Sequence, residues 1–346
     1  MMSLALDIVL AVAMPFMAWR VLAAEDLYRA IVAFIAFGLL VSLAWAQMGA
    51  PNVALAEAAI GTGITGALLL NTLGGVALSR KRPEEQTTGD TASDAIRKRG
   101  RVRIAAGAIS LGLGAALISG IAALAAPGSA VANLSARVEE NSGAAGVDQP
   151  VTAVLLNFRS YDTLLEIGVL LLALAAVWSL GLSRVPSSEL VSGAGSAVLH
   201  SFLRVLLPVA FVVGGYLLWA GTSYPGGAFQ GGAALAAVGA LLALSGGPAA
   251  VRHGGRGRVT LLRLGLFAGA VVGFVVFTGV GLLAMFAGDF LEYRGEAAYG
   301  LILLIETALT VSIAVTLAAL FAMASPLTQR SSQREAQTGE SNEVSA

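Results

Sequence analysis

Apolar residues run along this chain in stretches of about twenty, broken by short charged or Gly/Pro-rich segments. That is the length an α-helix needs to cross the hydrocarbon core of a bilayer. Nine spans fit, at roughly 3–22, 27–47, 51–78, 102–126, 160–182, 201–220, 227–247, 263–287 and 298–324. A transmembrane β-barrel would show alternating segments of about ten residues instead, and none occur. The pattern predicts an all-α, polytopic membrane protein with about nine transmembrane helices.

The breaks carry further information. Residues 79–103 form a linker rich in charge, residues 127–152 a small polar one, and the tail after Pro326 is polar and expected to be disordered. If the 79–103 linker lies in the cytoplasm and the spans alternate, eighteen of the twenty-one Lys and Arg residues fall inside. Only Arg137, Arg159 and Arg294 fall outside. This bias satisfies the positive-inside rule and places the N-terminus outside and the C-terminus inside. The first apolar segment has no basic flank and is interrupted by Asp7, so it reads as a retained helix and not a cleaved signal.

Composition agrees with this picture and narrows the chemistry. The 346 residues are 57% hydrophobic and 12% charged, against about 25% charged in soluble proteins. Net charge is zero, which gives no reason to expect nucleic acid. Cysteine is absent and only His200 and His253 are present. Disulfides, thiolate metal sites and iron–sulfur ligation are therefore excluded, and neither a metal centre nor any other cofactor is expected.

Against that background three glutamates stand out, Glu57, Glu166 and Glu306, each inside an apolar run. A carboxylate in a lipid-spanning helix costs several kcal/mol, and by default it marks an ion or proton pathway. In the alternating topology, spans 3, 5 and 9 run in the same direction. The three acids then lie roughly 9–12 Å below the outer ends of their spans, at 1.5 Å per residue. They form one layer if their helices are neighbours.

The surroundings of each acid differ. Glu57 follows Pro51, a residue favoured in a first helical turn. Gly61, Gly63 and Gly66, with Thr62 and Thr65, weaken the helix below it and permit a kink or bulge. GTGITG at 61–66 also spells a dinucleotide-binding pattern, but it sits in an apolar helix and not after a strand, so it reads as packing. Asp162 lies four residues before Glu166 on one helix face, near the helix start where the macrodipole favours negative charge. Arg159 is within reach of it. The pair is read either as a relay that passes a proton inward or as a capping acid beside a functional one. Glu306 is followed by Thr307 and Thr310, polar enough for a small hydrated pocket. GTSYPGGAFQGG at 221–232 joins spans 6 and 7. There Pro225, Gly226, Gly227, Gly231 and Gly232 allow a tight re-entry, and Gln230 is placed to hydrogen-bond across helices.

Three stretches in order resemble a known family. AEDLYRAIVAFIAFGLLVSLAWAQMGAPNVALAEAAIGTGI resembles the three-helix domain in the C-terminal part of the large subunit of Mrp-type cation/proton antiporters. The same module occurs as a small subunit of membrane-bound hydrogenases and is similar to a small membrane subunit of respiratory complex I. VTAVLLNFRSYDTLLEIGVL resembles the module that follows, and PGGAFQGG resembles P-G-G-G-F-Q-G-G of the antiporter's second subunit. The resemblance implies a division into 1–79, an MbhD-like three-helix module; 80–101, a cytoplasmic linker; 102–184, an MbhE-like two-helix module; 185–325, a four-helix MnhB/MrpB-like module; and 326–346, a disordered tail.

The resemblance also implies a subunit of a monovalent cation (Na⁺)/proton antiporter in the cell membrane. Its partners would be other antiporter subunits, the lipid bilayer, and Na⁺ or H⁺, with no enzymatic activity of its own. Glu57 and Glu166 match the family's acids, and Glu306 falls near a third. Asn52 and Asn157 replace customary aspartates, Thr222 stands where a histidine is usual, and Ala228 replaces a glycine. The large antiporter module with its Lys-containing broken helices is absent. Two other readings remain open: a membrane-arm subunit of an energy-converting hydrogenase or complex I-like assembly, and a structural scaffold whose acids only bind helices together.

Overall fold

The computed structural model describes residues 2–79, 92–124, 134–179, 197–244, 256–286, 288, 290–293, 295 and 297–323. The tail expected to be disordered and His253 lie outside these residues. Every regular element among them is helical. Seven helices are long and apolar enough to cross a membrane, and Gly107–Ala123 and Ala228–Ala243 are shorter apolar helices. The chain is an all-α, polytopic membrane protein. Residues 80–141 form one compact unit, and residues 1–79 with 142–346 form another.

In the larger unit, α1 (Met2–Ala23) and α2 (Leu27–Gln47) form a hairpin. Asp26 caps α2 by accepting from the backbone N–H of Arg29, relieving one of the unpaired donors at a helix start. Pro51 opens α3 (Pro51–Ala56) at its first position, where its missing N–H is not needed. The helix then widens into a π segment over Glu57–Ile64 before resuming as α4 (Thr65–Ser79). The Gly/Thr-rich stretch thus makes the bulge its composition permits. Both the N–H and the hydroxyl of Thr65 donate to the carbonyl of Ile60, five residues back, closing the wide turn. The π segment packs against α2. At Gly38 a β-carbon would stand 2.1 Å from Thr62 Oγ1, so only glycine permits this approach.

The smaller unit holds α5 (Ala92–Leu124) and α6 (Leu134–Asn141). The fourth span was expected from 102; its helix begins ten residues earlier, inside the charged linker. Ala, Arg, Lys and Ile are competent helix formers, and charge sets where a helix leaves the lipid, not where it stops being a helix. The 127–152 linker also contains more structure than its polarity suggests. Besides α6, Ala145, Val147 and Thr152 are buried in the larger unit.

After α7 (Pro150–Ala153), a second π segment (Val154–Phe158) leads into α8 (Ser160–Ser179). Then follow α9 (Ala197–Ala220), α10 (Ala228–Leu244), α11 (Arg256–Ala284) and α12 (Ala297–Met323). α10 and α11 pack most extensively on α12, and α8 also touches it. Ile302, Ile305, Leu309 and Ile313 of α12 are fully buried and form the centre of the core. α12 is the inner helix of the bundle, and it carries Glu306.

Candidate functional site: a carboxylate at a helix break

α9 ends at Ala220 and α10 begins at Ala228. Between them the chain turns back tightly. Gly227 adopts φ 118°, a conformation natural only to glycine, and its N–H donates to the carbonyl of Leu217 at 2.7 Å. A β-carbon at Gly226 would lie 2.3 Å from that same carbonyl oxygen. These two glycines allow the turn to close against the end of α9.

The turn is buried at Gly221, Thr222, Gly226 and Gly227. Non-helical backbone inside a membrane protein must find its hydrogen bonds in protein, and here distant segments supply them. Asn52 Oδ1 accepts from the N–H of Gly226 at 2.8 Å. Gln230 donates to the carbonyl of Asn52 at 3.0 Å, the cross-helix role its position suggested. Thr152 donates its hydroxyl to the carbonyl of Gly221, and the N–H groups of Asp148 and Gln149 donate to the carbonyl of Thr222 at 3.1 and 2.9 Å.

Glu306 reaches this turn from α12, nine residues or about 14 Å along its helix. It is only 3% exposed. Its Oε1 would lie 3.1 Å from a β-carbon on either Gly221 or Gly227, so the carboxylate rests on bare glycine backbone. The N–H of Ala228, the first residue of α10, donates to the carboxylate. Glu306 thereby caps a helix other than its own, at the end where the macrodipole favours negative charge. Its other oxygen, Oε2, is buried without a hydrogen-bond partner.

The other two acids do not join it. Glu57 is half-buried, with its carboxylate lying over its own helix: a β-carbon at Gly61 would stand 2.6 Å from Oε1. Glu166 is exposed, as is Asp162 on the same face of α8. Arg159 pairs with Asp162 at the start of that helix. Glu166 and Glu306 do not share one enclosed site, because α8 turns Thr163, Leu164 and Ile167 inward and leaves Glu166 exposed. Among the described residues no three acidic or histidine side chains gather as a metal site would require.

Asn157 has a different task. It donates to the carbonyls of Tyr293 at 2.9 Å and Ala145 at 3.3 Å, and accepts from the N–H of Tyr293 at 3.0 Å. One amide thus serves both backbone groups of Tyr293, which an ionised aspartate, able only to accept, could not do. Ser160 adds a bond to the carbonyl of Leu291, a residue held at φ 63°. The Tyr293 side chain is buried and its hydroxyl has no partner; burial pushes its pKa well above the usual tyrosine value. Sequence marked Asn52 and Asn157 only as departures from a pattern. It did not mark Thr152, whose signal is a lone hydroxyl in the first turn after Pro150.

Comparison with known proteins bears on this site directly. Residues 12–76 match the MbhD family model, which describes a subunit of MBH, and residues 198–326 match "Domain related to MnhB subunit of Na+/H+ antiporter". The chain joins an MbhD-like part to an MnhB-like part. The helix break and Glu306 both lie in the MnhB-like part, while Asn52 and Glu57 lie in the MbhD-like part. A solved structure titled "Structure of Mrp complex from Dietzia sp. DQ12-45-1b" superposes with a TM-score of 0.65 at 21% identity, over 92% of this chain and 34% of the other. The chain therefore has the fold of about a third of that longer one. No curated protein matches.

Proposed function

We propose that this chain is a membrane subunit of a multi-subunit Mrp-type Na⁺/H⁺ antiporter. It contributes a carboxylate to the ion or proton path and works with other membrane subunits in the plasma membrane. The observation that carries this reading is Glu306, a buried carboxylate with one open oxygen at a helix break within the MnhB-like part. A group so costly to bury would be an odd choice for packing alone, when an apolar residue would fill the same space. The MbhD-like match is compatible with a hydrogenase-type assembly, but the longer match and the superposed complex both favour the antiporter. The chain is a transporter component and not an enzyme in this reading, and residues 102–184 supply the two-helix module between its two matched parts. The N-terminus faces outward and the basic segments inward.

The match covers 34% of the superposed chain, and in this reading ion exchange is an activity of the assembled complex. The test is reconstitution with its neighbouring subunits in antiporter-deficient cells. The complete set should restore salt tolerance and Na⁺-driven proton movement in everted vesicles, whereas omission of this chain should abolish both. Full exchange without this chain would refute the assignment. Orientation is checked by single cysteines: one at Gly255 should resist an impermeant thiol reagent in intact cells, and one at Ser142 should react.

A further inference from the structure

The ligand of the Glu306 site is constrained by what surrounds it. A hard cation stripped of its water takes about six or more oxygen ligands. The backbone carbonyls of the turn and of Asn52 already accept: Gly221 from Thr152, Thr222 from Asp148 and Gln149, Gly227 from Gly231, and Asn52 from Gln230. Besides Glu306 Oε1, Gln230 Oε1 would lie 3.5 Å from a β-carbon at Gly227. Among the described residues Glu306 belongs to no cluster of three acidic or histidine side chains, and no Lys or Arg pairs with it. Of the packed elements, α10 carries no ionisable side chain, and α11 carries none from Leu264 to Ala284. On α9, Arg204 and Tyr216 are exposed; on α8, so are Tyr161, Asp162 and Glu166; on α12, Tyr299 is exposed. Asp148 is also exposed, and Glu57 is half-buried over Gly61. Among the described residues the charge on Glu306 is offset by the Ala228 N–H and the end of α10.

We infer that Glu306 is a proton-binding site and not a cation-coordinating one. The open Oε2 takes the proton while Oε1 stays on the N–H of Ala228. A single proton needs one oxygen, which is what the site leaves open. Protonation removes the buried charge, and a neutral carboxyl left partly unpaired costs far less than an ion in the same place. The glycines at 221 and 227 let α10's first N–H and Oε1 stay in contact in both states, so proton gain or loss requires no rearrangement of the turn. This inference rests on the proposed antiporter role for its biological meaning, but the chemistry is a property of the folded chain.

The test is infrared difference spectroscopy on the full chain in lipid nanodiscs after a pH jump. A protonated-carboxyl band should appear in wild type, persist in Glu57→Gln and Glu166→Gln, and vanish in Glu306→Gln. Glu306→Asp retains an acid and should shift the band without abolishing it, which guards against a glutamine variant that does not fold. Raising Na⁺ at constant pH should leave the band unchanged. Loss of the band on adding Na⁺, its persistence in Glu306→Gln, or its absence from wild type would each overturn the inference. Because the chain is studied alone, failure of the complex to exchange Na⁺ for H⁺ would leave this result standing and refute only the antiporter role.

Discussion

The two matched parts of the chain treat their acids in opposite ways. In the MnhB-like part, α12 lies inside its own bundle: 56% of its membrane-spanning stretch is buried, and Glu306 is enclosed by the turn between α9 and α10. In the MbhD-like part, the corresponding figures for α1, α2 and the Pro51–Leu73 span are 6%, 11% and 22%, and Glu57 is half-buried. The first site is completed by the chain's own fold. The second is assembled on a helix that leaves most of its surface uncovered. A buried acid and a bordering acid read alike in sequence, since both are single glutamates in apolar runs.

Several substitutions would break or sharpen this contrast. Asn157→Leu has the largest expected effect on folding. It strips both backbone groups of Tyr293 of their partner, at about 1–3 kcal/mol for each buried group left unpaired. Thermal unfolding in detergent should show a marked loss, and an unchanged midpoint would mean the amide is dispensable. Gly227→Ala comes next, because it places a side chain at φ 118° against Glu306. Backbone strain of about 1–3 kcal/mol should be accompanied by loss of transport, whereas Gly215→Ala, an exposed α9 glycine with nothing within 4 Å of an added β-carbon, should leave both stability and transport unchanged.

Gly38→Ala should cost about 1–3 kcal/mol by overpacking against Thr62, a loss confined to the MbhD-like part. The smallest effect is at Tyr293, outside the spans. Tyr293→Phe removes an unpartnered buried hydroxyl and should change stability by no more than about 1 kcal/mol at neutral pH. Since burial raises the folded-state pKa of Tyr293, its contribution is constant below the unfolded value near 10. It declines as pH rises above that, because only the unfolded chain then ionises. The phenylalanine variant should lose part of this alkaline decline.

Much of the architecture was legible because it depends on local chemistry. Hydropathy sets where spans lie, Pro51 sets a helix start, and the Gly/Thr run below Glu57 sets a bulge. The tight turn at 225–227 was legible for the same reason. What was not legible depends on which faces meet. Asn52 and Gly226 are 174 residues apart and bond directly, and no local pattern encodes that pairing. The same holds for the ranking of the acids. Glu57 carried the strongest motif in the sequence, yet Glu306 is the one enclosed, because α12 became the inner helix and α8 turned Glu166 outward. Asn52 and Asn157, which looked like lost carboxylates, are neutral amides that hold distant segments together.

The most direct test of this account is the Na⁺/H⁺ exchange rate of the assembled complex carrying Glu306→Gln, measured in everted vesicles beside Glu57→Gln and Glu166→Gln at matched expression. The account predicts an assembled complex whose exchange falls to background for Glu306→Gln, with smaller losses for the other two. A Glu306→Gln complex that exchanges at the wild-type rate across pH would contradict it and leave the buried carboxylate a structural cap of α10.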